Sequence, residues 1–135
     1  MENNLNKKID FDAIKKLKFD ERGLIPAIAQ DVNTKEVLML AYMNEESIRK
    51  TLEEKKACYF SRSRQELWTK GLTSGNIQEV EALYYDCDAD SLLVLVKQTG
   101  VACHTGNYSC FFNPIMKNKN FDYKIMPNKK LNLNK

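Results

Sequence analysis

Gln78-Glu-Val-Glu-Ala-Leu-Tyr-Tyr-Asp86-Cys87-Asp88-Ala-Asp90-Ser-Leu-Leu-Val-Leu-Val-Lys-Gln98 is the stretch whose reading decides the fold. Residues 78 to about 87 read as one long strand, and Ser91 to Gln98 as its hairpin partner across a polar bend. The apolar run from Leu92 to Val96 predicts a strand buried on both faces, or one shared with a neighbouring subunit.

Upstream, Gly23 to Val32 reads as a strand, Asn33-Thr34-Lys35 as a turn, and Glu36 to Met43 as a second strand closing a hairpin. Asn44 is a good N-cap, with Glu45 and Glu46 favoured in the first turn. Ile48 and Leu52, four apart, give residues 45–56 one apolar helical stripe. Strands resume at Cys58–Ser61 and Leu67–Lys70, separated by the polar segment 62–66, and Thr73–Asn76 reads as a loop. Downstream, Val101 to Phe112 holds one or two short strands around Thr105-Gly106-Asn107. The expected fold is a strand-dominated α+β domain, a curled antiparallel sheet or partial barrel with one main helix.

The chain's 135 residues suit one domain, here residues 19–112, with two flanks. Residues 1–18 form an N-terminal arm or helix with Phe11, Ile14 and Leu17 on one side. Residues 113–135 form a basic Asn/Lys-rich tail. The formal charge of +3 sits in these ends. Residues 1–18 carry five Lys against three acids, residues 113–135 six Lys against one Asp, and the body between has ten Lys or Arg against fourteen acids. An acidic body is a poor match for a phosphate backbone, so no nucleic-acid partner is expected. No apolar run approaches the roughly 20 residues that span a bilayer, and the N-terminus lacks a signal-peptide core. A cytoplasmic protein without a membrane partner is the expectation. The four cysteines include no Cys-x-x-Cys pair, which argues against a thioredoxin-type site.

Three of those cysteines, the single histidine and three alternating aspartates lie between Asp86 and Cys110. On an extended segment Asp86, Asp88 and Asp90 share one face and Cys87 points to the other. Clustered carboxylates repel unless a cation joins them, and oxygen ligands suit Mg²⁺. The alternative is a polar hairpin turn of solvated acids. An EF-hand is excluded, because Ser91 and Lys97 stand where its Gly and Glu belong.

Cys103 and Cys110 flank a turn that can return them to one point, half of a tetrahedral Zn²⁺ site. Cys87 can be a third ligand, across the hairpin or from another subunit, leaving one position open as in catalytic zinc sites. Alternatively these are small buried hydrophobes. His104, next to Cys103, suits proton transfer better than ligation. Ser61-Arg62-Ser63-Arg64 and Trp68-Thr-Lys70-Gly-Leu-Thr73-Ser74-Gly75-Asn76 combine cations, hydroxyls and a flexible turn able to hold phosphate, without Walker A order. Trp68 either stacks on a base or belongs to the core.

Trp68 to Asn76, Asp86 to Asp90, and Ala102-Cys-His-Thr-Gly106 with Ser109-Cys-Phe111 together resemble phosphoribosyl-AMP cyclohydrolase of histidine biosynthesis, over roughly residues 19–112. The resemblance implies hydrolysis of the adenine ring of N1-(5-phosphoribosyl)-AMP between N1 and C6, giving the formimino-aminoimidazole-carboxamide ribotide. It implies an intertwined homodimer in which Cys103 and Cys110 bind Zn²⁺ with Cys87 of the other subunit, while Asp86, Asp88 and Asp90 hold Mg²⁺. His104 is then the candidate catalytic proton carrier, and Arg62, Trp68, Lys70, Thr73, Ser74 and Gly75 the candidate substrate contacts. Some family members carry a fused pyrophosphohydrolase. The 23 residues after Phe112 are too few for that domain, so a separate phosphoribosyl-ATP pyrophosphohydrolase is the expected supplier of substrate. Two rivals remain. One is a non-catalytic zinc-stapled dimeric binding module. The other is a purine deaminase, against which the missing His-x-Glu and Pro-Cys-x-x-Cys signature argues.

Overall fold

A computed structural model describes residues 8–118; the expected arm before Lys8 and the tail beyond Asn118 lie outside the described residues. The six strands are β1 (Ile25–Asp31), β2 (Val37–Met43), β3 (Cys58–Ser61), β4 (Glu66–Thr69), β5 (Gln78–Tyr85) and β6 (Leu92–Gln98). They form one curled sheet in the order β4-β3-β2-β1-β6-β5, with the α-helix α1 (Glu45–Glu54) between β2 and β3.

Four of the five strand pairings are antiparallel, as expected, but one is not: β1 and β6 run parallel, Ala27 opposite Leu92 through Asp31 opposite Val96. The burial of both strands explains the pairing. Ile25, Ala27 and Ala29 on β1 and Leu92, Val94 and Val96 on β6 are all buried, so both strands are interior to the sheet and each covers the other's edge. Leu93 and Leu95 on the other face of β6 are only partly covered, so that strand is fully buried on one side alone.

The β1–β2 turn is built by Asp31. Its Oδ1 accepts from the backbone N–H groups of Asn33 (2.8 Å) and Thr34 (3.3 Å), and Lys35 takes a left-handed φ of 68°. Helix α1 starts in a reciprocal cap: Asn44 accepts from the Ser47 N–H at 2.8 Å, and the Ser47 hydroxyl accepts from the Asn44 N–H at 2.9 Å. The buried stripe of α1 is Ser47, Ile48 and Thr51, with Leu52 partly covered. The Thr51 hydroxyl explains the difference from a purely apolar stripe, because it satisfies both the N–H and the carbonyl of Cys58 at the start of β3.

The N-terminal segment is a short 3₁₀ helix, Phe11–Lys16, seated through buried Ile14 and tied by the Lys18 N–H to the Ala89 carbonyl. The strands expected within 101–112 do not form. That segment is a series of turns, because its backbone bonds are short-range or go singly to β2.

Candidate active site

The three aspartates come together, though not by strand alternation. β5 ends at Tyr85, and a turn follows in which the Ala89 N–H reaches the Asp86 carbonyl at 3.0 Å, with Ala89 left-handed at φ 62°. This turn brings oxygens of Asp86, Asp88 and Asp90 within 4.8 Å of one another, all three exposed. Asp86 organises the group, accepting from the Ser91 hydroxyl (2.5 Å) and from the N–H groups of Asp90 (3.0 Å) and Ser91 (3.3 Å). The hydrogen bond from Ser91 holds Asp86 below the ordinary carboxylate value. A hydrogen bond shared with Asp88, reinforced by neighbouring negative charge, pushes Asp90 above it. Three hard oxygens with one member biased toward its proton are a donor set that fits a divalent cation such as Mg²⁺.

The thiols converge independently. A turn closed by the Gly106 N–H on the Cys103 carbonyl at 3.0 Å, with Gly106 at φ 95°, reverses the chain. The returning limb places Cys110 within hydrogen-bonding reach of Cys103. Burial opposes ionisation of Cys103, but the hydroxyl and backbone of Thr105, Cys110 and the Lys70 ammonium outweigh it, and its pKa falls below the ordinary thiol value. Cys110 is pushed up to about 11 by burial and by Cys103. Cys103 thus ionises more readily than an ordinary thiol and Cys110 less readily, and such soft donors fit Zn²⁺. Among the described residues no third Cys, His or carboxylate of the same chain completes a three-ligand group with this pair. Cys87 is exposed on the aspartate turn. His104 is also exposed, at the tip of the 103–106 turn.

Trp68 and Lys70 lie at the end of β4. The Trp68 ring packs at 5.3 Å on buried Tyr59, and the Lys70 ammonium sits 5.8 Å from the Trp68 ring centre. A cavity of about 440 Å³ opens here, lined by Trp68, Lys70, Thr73 and Ser74 together with Arg64 and Lys50. Arg62 lies elsewhere, its guanidinium 4.1 Å from the centre of the Tyr42 ring. Gly75 does not line the cavity but shapes its loop, with φ 86° and its N–H on the Gly71 carbonyl. Lys50 went unnoticed in the sequence: on α1 it reads as an ordinary solvated helix lysine, and nothing local marks it. Lys70 joins the two halves of the site, lining the cavity and placing its charge beside both thiols.

The sequence pattern described as phosphoribosyl-AMP cyclohydrolase matches residues 39–112, which span the thiols, the aspartates and the cavity. The phosphoribosyl-AMP cyclohydrolase of Chloroherpeton thalassium is 61% identical over 107 residues, 79% of this chain and 76% of that relative. The chain belongs to the phosphoribosyl-AMP cyclohydrolase family. The cyclohydrolase of Archaeoglobus fulgidus is 67% identical over 96 residues, covering 71% of this chain and 89% of its own length. The histidine biosynthesis bifunctional protein HisIE of Caldanaerobacter subterraneus is 64% identical over 99 residues, and there the chain spans 48% of the relative. Membership of an enzyme family favours the hydrolase over the non-catalytic zinc-stapled module. Among the described residues no helix is long and apolar enough to cross a membrane.

Proposed function

We propose that this chain hydrolyses the N1–C6 bond of the adenine ring of N1-(5-phosphoribosyl)-AMP, the cyclohydrolase step of histidine biosynthesis. The observation that carries the reading is Lys70. It places a cavity of aromatic, hydroxyl and cationic groups directly beside a pair of thiols poised for a soft metal.

Cys103 and Cys110 would hold Zn²⁺ with Cys87 of the partner subunit, which makes the homodimer the working unit. Asp86, Asp88 and Asp90 would hold Mg²⁺. When bound, zinc supplies Lewis acidity and, at neutral pH, a hydroxide nucleophile. The residues of the chain do the rest. Trp68 flanks the purine, and Lys70 and Arg64 offset phosphate charge. Thr73 and Ser74 donate hydroxyl hydrogens. Ribosylation of N1 makes C6 electrophilic. As oxygen bonds to C6 and the C6–N1 bond opens, N1 must gain a proton, and His104 is the group that delivers it. The substrate comes from the phosphoribosyl-ATP pyrophosphohydrolase step, and the reaction runs in the cytoplasm.

The test is metal content measured beside turnover, the latter followed by the ultraviolet change on ring opening. Wild type should carry stoichiometric zinc and open the ring, and Cys103→Ser and Cys110→Ser should lose zinc and turnover together. An active, zinc-free variant would refute the assignment.

A further inference from the structure

Segment 102–110 carries both thiols yet has no regular secondary structure, so hydrogen bonds must set its shape. Three consecutive residues of its returning limb are fastened to the β1–β2 hairpin. The Tyr108 hydroxyl donates to Asp31 Oδ2 at 2.5 Å and lies 2.8 Å from the Thr34 hydroxyl. The Ser109 hydroxyl donates to the Val37 carbonyl at 2.8 Å, and the Cys110 N–H to the Leu38 carbonyl at 2.7 Å. The outgoing limb has one outside anchor on its backbone, the Lys70 ammonium on the Ala102 carbonyl. Otherwise it hangs on the returning limb, the Ala102 N–H on the Tyr108 carbonyl (3.0 Å) and the Cys103 N–H on the Asn107 carbonyl (3.1 Å). Tyr108 therefore engages both limbs, its carbonyl holding the Cys103 side and its hydroxyl reaching the hairpin.

We propose that Tyr108 is a positioning residue for the thiol pair: its hydroxyl, held between the Asp31 carboxylate and the Thr34 hydroxyl, fixes the loop so that Cys110 meets Cys103. The inference rests on reading those cysteines as zinc ligands and extends it to their support. Asp31 is buried at 4% exposure and its Oδ1 is already occupied by the turn it caps, so its Oδ2 is a fixed acceptor rather than a wandering surface carboxylate. The turn that closes the first hairpin thus doubles as the brace of a site some 75 residues later, a spacing that a tyrosine in a loop gives no hint of. Supports of this kind around metal ligands typically govern affinity and not only fold.

The experiment compares full-length wild type, Tyr108→Phe, Thr34→Val and a control, Tyr59→Phe. The control removes a hydroxyl that donates to Gln78 at 2.6 Å in the core and makes no direct hydrogen bond to residues 102–110. Zinc affinity is read by competition with a chromophoric chelator well below each unfolding midpoint. Tyr108→Phe should bind zinc about 10- to 100-fold more weakly and Thr34→Val less so, with Tyr59→Phe matching wild type in affinity despite its lost stability. Wild-type affinity in Tyr108→Phe, or equal weakening in Tyr59→Phe, overturns the proposal. Should Tyr108→Phe not fold, Thr34→Val decides by the same comparison. A second readout needs no zinc: capture of Cys103 with Cys110 by phenylarsine oxide in the metal-free proteins, identified by peptide mass. Slower capture in Tyr108→Phe supports the brace, and equal capture refutes it. If wild type itself binds no zinc, the metal reading fails and this thiol capture still decides the role of Tyr108.

Discussion

Lys70 donates a hydrogen bond from its ammonium to the carbonyl of Ala102, the residue before Cys103, across 32 positions of sequence. The cation is therefore tied to the thiol loop as well as to the cavity, and burial lowers its pKa while the two cysteines oppose that shift. Lys70→Met should remove the charge that favours the Cys103 thiolate and cost about 1 kcal/mol of stability, the bond being only partly shielded. Turnover over KM should fall about 100-fold. Lys50→Met, which alters the cavity wall but not the thiols, should act mainly on KM. Steady-state kinetics on both variants separate the roles, and equal effects would detach Lys70 from the thiols.

The aspartate turn should show a pH-dependent response to magnesium. Asp90 has its pKa raised by Asp88, so in the metal-free protein its contribution to stability is present in acid and lost as pH rises through that elevated value. Asp86, lowered by Ser91, has the opposite sign, contributing above the ordinary carboxylate range and losing that contribution on acidification. Mg²⁺ bound at this turn would compete with the proton on Asp90, so it should raise the melting temperature more at pH about 8 than at pH about 4. Asp88→Asn should raise the magnesium concentration needed for activity while leaving the fold intact. Equal magnesium shifts at both pH values would remove the cluster from the site.

His104, exposed on its turn, has no packing role to lose. His104→Ala should retain both metals and the wild-type melting temperature yet lose about 100- to 10,000-fold in turnover. Near-normal turnover would take the histidine out of the proton path.

The two glycines that bound the 71–75 turn should respond differently to a methyl group. A Cβ on Gly75 meets nothing within 4 Å, so Gly75→Ala should cost only the left-handed strain, about 1–2 kcal/mol. A Cβ on Gly71 would come within 2.3 Å of the Asn76 backbone, at φ 80°. Gly71→Ala should therefore cost about 3–4 kcal/mol and disturb the cavity rim. Urea denaturation of the pair measures the difference.

Periodicity and punctuation made most of the sheet legible. The Asn33-Thr34-Lys35 turn, the Asn44 cap and the polar breaks at 62–66 and 86–91 each mark an element boundary through local physics. What stayed hidden was long-range. Nothing in β1 or β6 alone specifies that they pair in parallel, because both are simply apolar and both need cover. The aspartates were grouped by alternation along an extended segment, whereas Ala89 turns left-handed, as in the alternative of a polar hairpin turn. Their spacing survives in either geometry, so the cluster was found even though its backbone was not. Residues 101–112 read as one or two short strands, and their Val, Thr, Tyr and Phe do favour sheets, but no strand forms there. The segment's actual shape depends on a carboxylate at position 31, which no window around the loop contains.

The parallel seam between β1 and β6 also dictates when the protein can become itself. Ala27 must wait for Leu92 to be synthesised, so a nascent chain emerging from the ribosome leaves one edge of β1 uncovered until nearly all of the catalytic body is out. Truncation within β6 should consequently yield insoluble material rather than a smaller folded unit, and chaperone demand should be concentrated in that interval of translation.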